Sequence, residues 1–226
     1  MNELILLAYC FTVASGALGA LRFGKEGLIG FICVQVILVN LFVLKQINLF
    51  GYTATAADAL AVGITLSLNI LQEYYSRETA LSAIWISFYC AVFYALVSLF
   101  HLAYTPVLSD TTHTLFKTLL LPMPRIVIAS LITFLIVQHL DAQIYFLLKR
   151  KFHAQYFVLR NYGSLFLTQF LDTVLFTFLG LYGTTESLSN FSTLFDIIKV
   201  SSIIKAVVII ITVPYVRLAR SFIKDV

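Results

Sequence analysis

Apolar residues in this chain run in long blocks, separated by short polar breaks. Neither the alternation of a half-buried strand nor the single apolar stripe of a soluble helix dominates. A helix needs roughly 20 residues to cross the hydrocarbon of a bilayer. Blocks of about that length lie at residues 3–21, 27–46, 53–72, 79–101, 125–148, 157–183 and 194–216. The first ends in Ala17, Gly19 and Ala20, as a cleaved signal would. Its start carries only Glu3, whereas a signal peptide begins with basic residues, so it reads as a retained helix. The longest break, 102–124, holds Pro106, Asp110, His113, Lys117, Pro122 and Pro124 and is expected as a loop or partly re-entrant segment. The pattern predicts an all-α integral membrane protein, one bundle of six to seven transmembrane helices, with residues 1–226 as a single domain.

Composition narrows the class. Of 226 residues, 60% are hydrophobic and 12% charged, with a mean hydropathy of +0.95. A soluble domain has about 45–50% apolar and about 25% charged residues. One soluble core of this size cannot hide such an excess. A soluble enzyme, a disordered tail and a nucleic-acid-binding domain are excluded. No polyanionic partner is implied by a net charge of +4. Cys10, Cys33 and Cys90 lie in apolar stretches without disulfide or metal-ligand spacing. No repeat, low-complexity segment or linker divides the chain.

The distribution of basic residues sets an expected topology. With the Lys149-Arg150-Lys151 to Arg160 loop cytoplasmic, alternation also brings Arg22, Lys25, Arg77, Arg217, Arg220 and Lys224 inside. That places ten of the 15 Lys and Arg on one side. The N-terminus is then outside and the C-terminus cytoplasmic.

Ionisable groups within spans are costly, about 2.5–3.5 kcal/mol at the helix centre, and so point to function. The fifth span carries Gln138-His139-Leu140-Asp141 and the sixth Gln169-Phe170-Leu171-Asp172. In each, Gln and Asp are three residues apart and share a helix face. Two such motifs on antiparallel neighbours suggest polar ladders facing one cavity. At 1.5 Å of rise per residue, Asp141 and Gln169 lie roughly 12–14 Å from the basic side, and Asp172 and Lys205 roughly 18 Å. Lys205 is thus level with Asp172, and either an ion pair or ligand contact would satisfy both. Glu73 ends the third span near Arg77, with Asn69 one turn before it. Arg125 opens the fifth span, and Ser130 can share its face. Asn40 lies inside the second span. His139 has no second His or Cys at ligand spacing, so no metal is expected.

No phosphate-binding glycine loop, zinc-protease motif, nucleophile elbow or triad occurs, so neither enzyme chemistry nor a cofactor is expected. Polar residues spread along the depth of several spans favour a solute pathway. Readings that keep the same residues are a binding subunit that needs separate ATPase subunits, and a non-transporting scaffold whose polar groups simply pair between helices. Candidate partners are a small-molecule substrate, the lipid bilayer, a second copy of the chain and coupling ATPase subunits; nucleic acid is not among them.

At these positions the chain resembles the queuosine precursor transporter family, also called the vitamin uptake transporter family. The matching pieces run in order: Asn40 with Lys45 and Gly51; Glu73-Tyr74-Tyr75 and Ala80; Arg125, Ala129-Ser130, Gln138 and Asp141; Leu159-Arg160, Ser164, Gln169 and Asp172-Thr173; Lys205 with Pro214. They cover roughly 35–216, and the chain departs from the pattern at Asn69, Ser76 and Phe157. The resemblance implies a multi-pass protein of the bacterial inner membrane that imports queuine or another 7-deazaguanine base for transfer-RNA modification. On that footing, Asp172 or Glu73 would read the base edge, since a carboxylate can accept two N–H donors. Gln138 and Gln169 would add amide contacts, and Asn40 and Ser130 would complete the polar lining. Asp141 would face a cationic substituent, and Lys205 and Arg125 would balance charge or donate to the carbonyl.

Overall fold

The computed structural model describes residues 1–151 and 157–223, with the side chains of 1–137 and 166–207 described throughout. Helices α1 (Asn2–Leu21) and α2 (Gly24–Phe42) precede a hairpin of β1 (Gln46–Leu49) and β2 (Tyr52–Thr55). Then follow α3 (Asp58–Tyr74), α4 (Arg77–Ala103), α5 (His113–Leu120), α6 (Met123–Lys151), α7 (Phe157–Phe176) and α8 (Phe191–Ile223). The protein is an all-α membrane bundle. Among the described residues, Asn2–Leu21, Gly24–Phe42, Arg77–Ala103 and His113–Val137 are each long and apolar enough to cross a bilayer. Exposed Phe11, Trp85, Tyr89, Phe93, Phe100 and Ile128 give the bundle an apolar outer surface, as lipid contact requires.

The chain turns tightly between spans. Gly24 has φ +73° between α1 and α2, and a side chain at Gly27 would stand 2.3 Å from the Ala20 carbonyl oxygen. Between α3 and α4, extended Ser76 accepts a hydrogen bond from the Thr79 amide at 3.0 Å and caps α4. Buried Ala80, Ala83, Ser87, Ala91, Ala95 and Ser98 form one face of α4. Small residues let helix backbones approach in a membrane, where the hydrophobic effect does not drive helices together. Gly63 serves the same purpose on α3, which packs there against Val13 of α1 and Gln35 of α2.

Two segments depart from the sequence expectation. Residues 53–72 do not form one helix, because 46–55 fold as an antiparallel hairpin with Leu49 opposite Tyr52. Its two-residue loop, Phe50-Gly51, has φ +52° and +83°, the twist that matches a right-handed hairpin. Asn2 Nδ2 donates to the Asn48 carbonyl at 2.8 Å, the Phe50 amide donates to Glu3 Oε1 at 3.2 Å, and Ser187 Oγ donates to Gln46 Oε1 at 2.7 Å. Leu49 and Ala54 pack on Val200 of α8. The second departure is α5, a short helix inside the expected break. Asp110 before it accepts from the Thr112 amide and hydroxyl, both at 2.7 Å, and these bonds hold its carboxyl below the usual range.

Two apolar clusters close the ends of the bundle. Val43, Ala57, Met123, Leu181, Leu188 and Leu194 pack together at the end that carries the hairpin. Leu21, Ile70, Leu71, Ala80 and Ala219 pack at the other. Arg22, Lys25 and Arg77 belong to turns at this second end.

Candidate functional site

A cavity of about 260 Å³ lies in the hairpin-side half of the bundle. Ligand pockets commonly measure about 300–1,000 Å³, so this one suits a small molecule. Its wall is built from the last turns of α2, the first turns of α3, the hairpin-side parts of α6 and α7, and α8 from Ile197 to Lys205. Polar groups reach it from several elements: Asn40, Thr55, Asp58, Ser130, Thr133, Asp172, Thr173, Ser201 and Lys205. Phe88, Phe134 and Phe176 supply flat apolar surface. The Phe88 and Phe134 ring centroids are 5.2 Å apart.

The charged groups form two arrangements. Lys205 Nζ donates to Asp172 Oδ2 at 2.6 Å, joining α8 to α7. The pair is partly open, with side-chain exposures of 20% and 33%. Asp58, at the first turn of α3, is 8% exposed. Ser201 Oγ donates to it, lying 3.0 and 3.1 Å from its two carboxylate oxygens. Ser201 and Lys205 are one turn apart on α8, so both carboxylates face the same helix. Thr133 is 1% exposed, and its hydroxyl has no hydrogen-bond partner among the described residues. A buried hydroxyl left unpaired is costly, and in a cavity wall a bound polar group can satisfy it.

The expected site residues are only partly brought together. Asn40, Ser130, Asp172 and Lys205 line the cavity. Asn40 Nδ2 also donates to the Val36 carbonyl at 2.9 Å, one turn back on α2. Gln169 lies beside the cavity, in a shallow cleft with Phe166, Ser202 and Lys205. Glu73 is exposed at the far end of α3, fifteen residues or about 22 Å from Asp58. Arg125 also lies outside the cavity lining. Its Nε donates to the Leu179 carbonyl at 3.2 Å and its Nη2 to that of Tyr182 at 2.7 Å. Those carbonyls belong to the wide turn Thr177–Leu181 and the residue after it, where a helix end leaves acceptors unsatisfied. The side chains of Gln138, His139 and Asp141 lie outside the described residues.

Asp58, Ser201 and Thr133 are cavity residues that no sequence motif marks. Asp58 carried the same signal as Asp172, an acidic residue inside an expected span. Its setting of small residues, Thr53-Ala54-Thr55-Ala56-Ala57, gave no repeated motif to draw attention to it. A lone Ser or Thr in a span commonly bonds its own helix, so Ser201 and Thr133 carried no separate signal.

A bundle of lipid-facing helices around a polar, aromatic-walled cavity defines a multi-pass membrane protein built to hold a small solute. Residues 55–219 match the family model described as "Putative vitamin uptake transporter". The chain is 32% identical over 207 residues to the "Probable queuosine precursor transporter" of Bacillus subtilis (strain 168), spanning 90% of this chain and 87% of that protein. It belongs to this vitamin uptake transporter family. No solved structure matches it.

Proposed function

We propose that the protein imports a queuosine precursor, a 7-deazaguanine base, across the bacterial inner membrane into the cytoplasm. The observation that carries this reading is the cavity, in a chain whose relative is named for that substrate. A 7-deazaguanine base is flat and presents several N–H donors beside a carbonyl. Carboxylates accept such donors in pairs, a lysine or hydroxyl donates to the carbonyl, and Phe rings take the face of the ring. Asp172, Lys205, Thr133 and the Phe88–Phe134 pair offer these contacts around one space. A scaffold would need its polar groups only for pairing between helices. The hydroxyl of Thr133 and the open volume beside the Lys205–Asp172 pair favour a solute instead.

Basic residues at the end opposite the hairpin support that end as cytoplasmic. The N-terminus is then outside, and the cavity lies in the outer half of the membrane, where an importer first meets its substrate. The test is rescue of transfer-RNA modification in a host that lacks its own queuosine synthesis and importer. Expressing this chain and supplying queuine, the aminomethyl base or the cyano base should restore queuosine with at least one of them. No rescue with any base overturns the proposal. Uptake by the purified chain alone in proteoliposomes would separate a self-sufficient carrier from a subunit that needs a coupling ATPase or another partner.

A further inference from the structure

We infer that Asp58, with Ser201, is the acceptor for a positively charged substituent, so the cavity selects a base bearing a protonated amine over its neutral counterpart. The inference rests on the proposed import of a 7-deazaguanine base and adds which form of it is preferred.

Three observations carry it. The first is charge. Asp58, Asp172 and Lys205 are the ionisable side chains described in the cavity lining. Lys205 is bonded to Asp172 at 2.6 Å, whereas Asp58 accepts hydrogen bonds from the hydroxyls of Ser201 and Thr55. Two carboxylates thus share one lysine in this lining, and the hydrogen bond of that lysine goes to Asp172. A buried charge needs a partner, and an ammonium group on the ligand supplies one. A nitrile or a hydrogen in its place would not.

The second observation is placement. Asp58 and Asp172 approach from different helices and are linked through α8, where Ser201 and Lys205 stand one turn apart. The axial separation is about 6 Å, a span that a fused two-ring base can bridge. One end of the base can then meet the Asp172–Lys205 pair while a substituent at the other end meets Asp58. The third is an aromatic wall, made by two rings that pack on each other. Phe88 and Phe134 line the same cavity, with their ring centroids 5.2 Å apart. The buried, unpartnered hydroxyl of Thr133 lies beside them in that wall. A flat base lying against this wall can turn its polar rim toward the carboxylates.

The test measures uptake of two probes by the full-length protein in proteoliposomes: 7-aminomethyl-7-deazaguanine, a cation at neutral pH, and 7-cyano-7-deazaguanine, which is neutral. The wild type should take up the amine at least about tenfold faster at low concentration, the scale of a charge-assisted hydrogen bond. Asp58→Asn should lower amine uptake about tenfold more than it lowers cyano uptake, abolishing the preference. Ser201→Ala, which keeps the carboxylate, should narrow the preference less. Should Asp58→Asn fail to reach the membrane, competition decides in the wild type: the unlabelled amine must inhibit cyano uptake at far lower concentration than unlabelled cyano base does. Equal uptake of both bases by the wild type, or an equal loss of both in Asp58→Asn, overturns the inference; the latter would give Asp58 a role common to all substrates, such as proton coupling. Transport of neither base would instead defeat the import reading on which this inference rests.

Discussion

The Lys205–Asp172 pair shows how a few residues can govern a bundle that is otherwise apolar. Removing one partner of a buried ion pair leaves an uncompensated charge, which costs about 3–5 kcal/mol where the site is fully buried. Partial exposure here lowers that to roughly 1–3 kcal/mol. Asp172→Asn and Lys205→Met should each lower the thermal midpoint of the detergent-solubilised protein and cut uptake at least about tenfold. The double variant should regain most of the lost stability, because neither charge is then stranded. It should not regain transport, because the groups proposed to meet the base are gone. Recovery of transport in the double variant would reduce the pair to a structural role. At this scale the sequence was informative where charge met depth: equal distance from the basic ends put Lys205 level with Asp172. It was uninformative about direction. Glu73 and Arg125 are as polar as the cavity residues, but one ends its helix in the exposed rim and the other satisfies carbonyls of a neighbouring turn. Those destinations depend on which elements meet, and no local pattern reports that.

Among the elements, the junction of α1, α2 and α3 and the hairpin beside it hold the cavity walls in place. A methyl group at Gly63 would stand 1.9 Å from Val13 Cγ1 and 2.0 Å from Gln35 Oε1. Gly63→Ala should therefore spread the three helices, at about 1–3 kcal/mol for an overpacked contact. The expected readout is a lower midpoint of thermal unfolding with normal membrane insertion. An unchanged midpoint would mean that this contact is not tight. The hairpin has a comparable weak point at Gly51, where φ is +83°. Gly51→Val places a β-branched residue in the left-handed region, costing about 1–2 kcal/mol. Because Thr55 at the hairpin's end lines the cavity, that variant should reduce uptake more than it reduces expression. The long spans were legible because an apolar block of membrane length has few alternatives. The hairpin was hidden because four-residue strands are too short to show alternation, and Phe-Gly is a less telling turn than Asn-Gly. Helix α5 was hidden because prolines on either side, Pro106 and Pro122, mark a break without saying what lies between them.

For the molecule as a whole, the property of greatest consequence is which end faces the cytoplasm. The bundle is asymmetric in two respects. Arg22, Lys25 and Arg77 lie at turns of one end, and the cavity with its hairpin lies toward the other. The proposed orientation, which the positive-inside rule favours, puts the first in the cytoplasm and the second outside. Accessible single cysteines test this in a background in which Cys10, Cys33 and Cys90 are replaced by serine. Ser109→Cys, in the exposed segment before α5, should react with a membrane-impermeant maleimide in intact cells. Lys25→Cys, at the opposite turn, should react only after permeabilisation. The two sites serve as controls for each other, since inverted insertion would exchange their behaviour. The consequence for function is specific. With this orientation, an external base reaches the cavity by crossing only the hairpin-side cluster of Val43, Leu181 and Leu194. Release to the cytoplasm would instead disturb the close helix contact at Gly63 and the cluster of Leu21, Ile70 and Leu71. Exchange of that reactivity between the two cysteines would turn the same cavity toward the cytoplasm and make capture from outside the step that needs rearrangement.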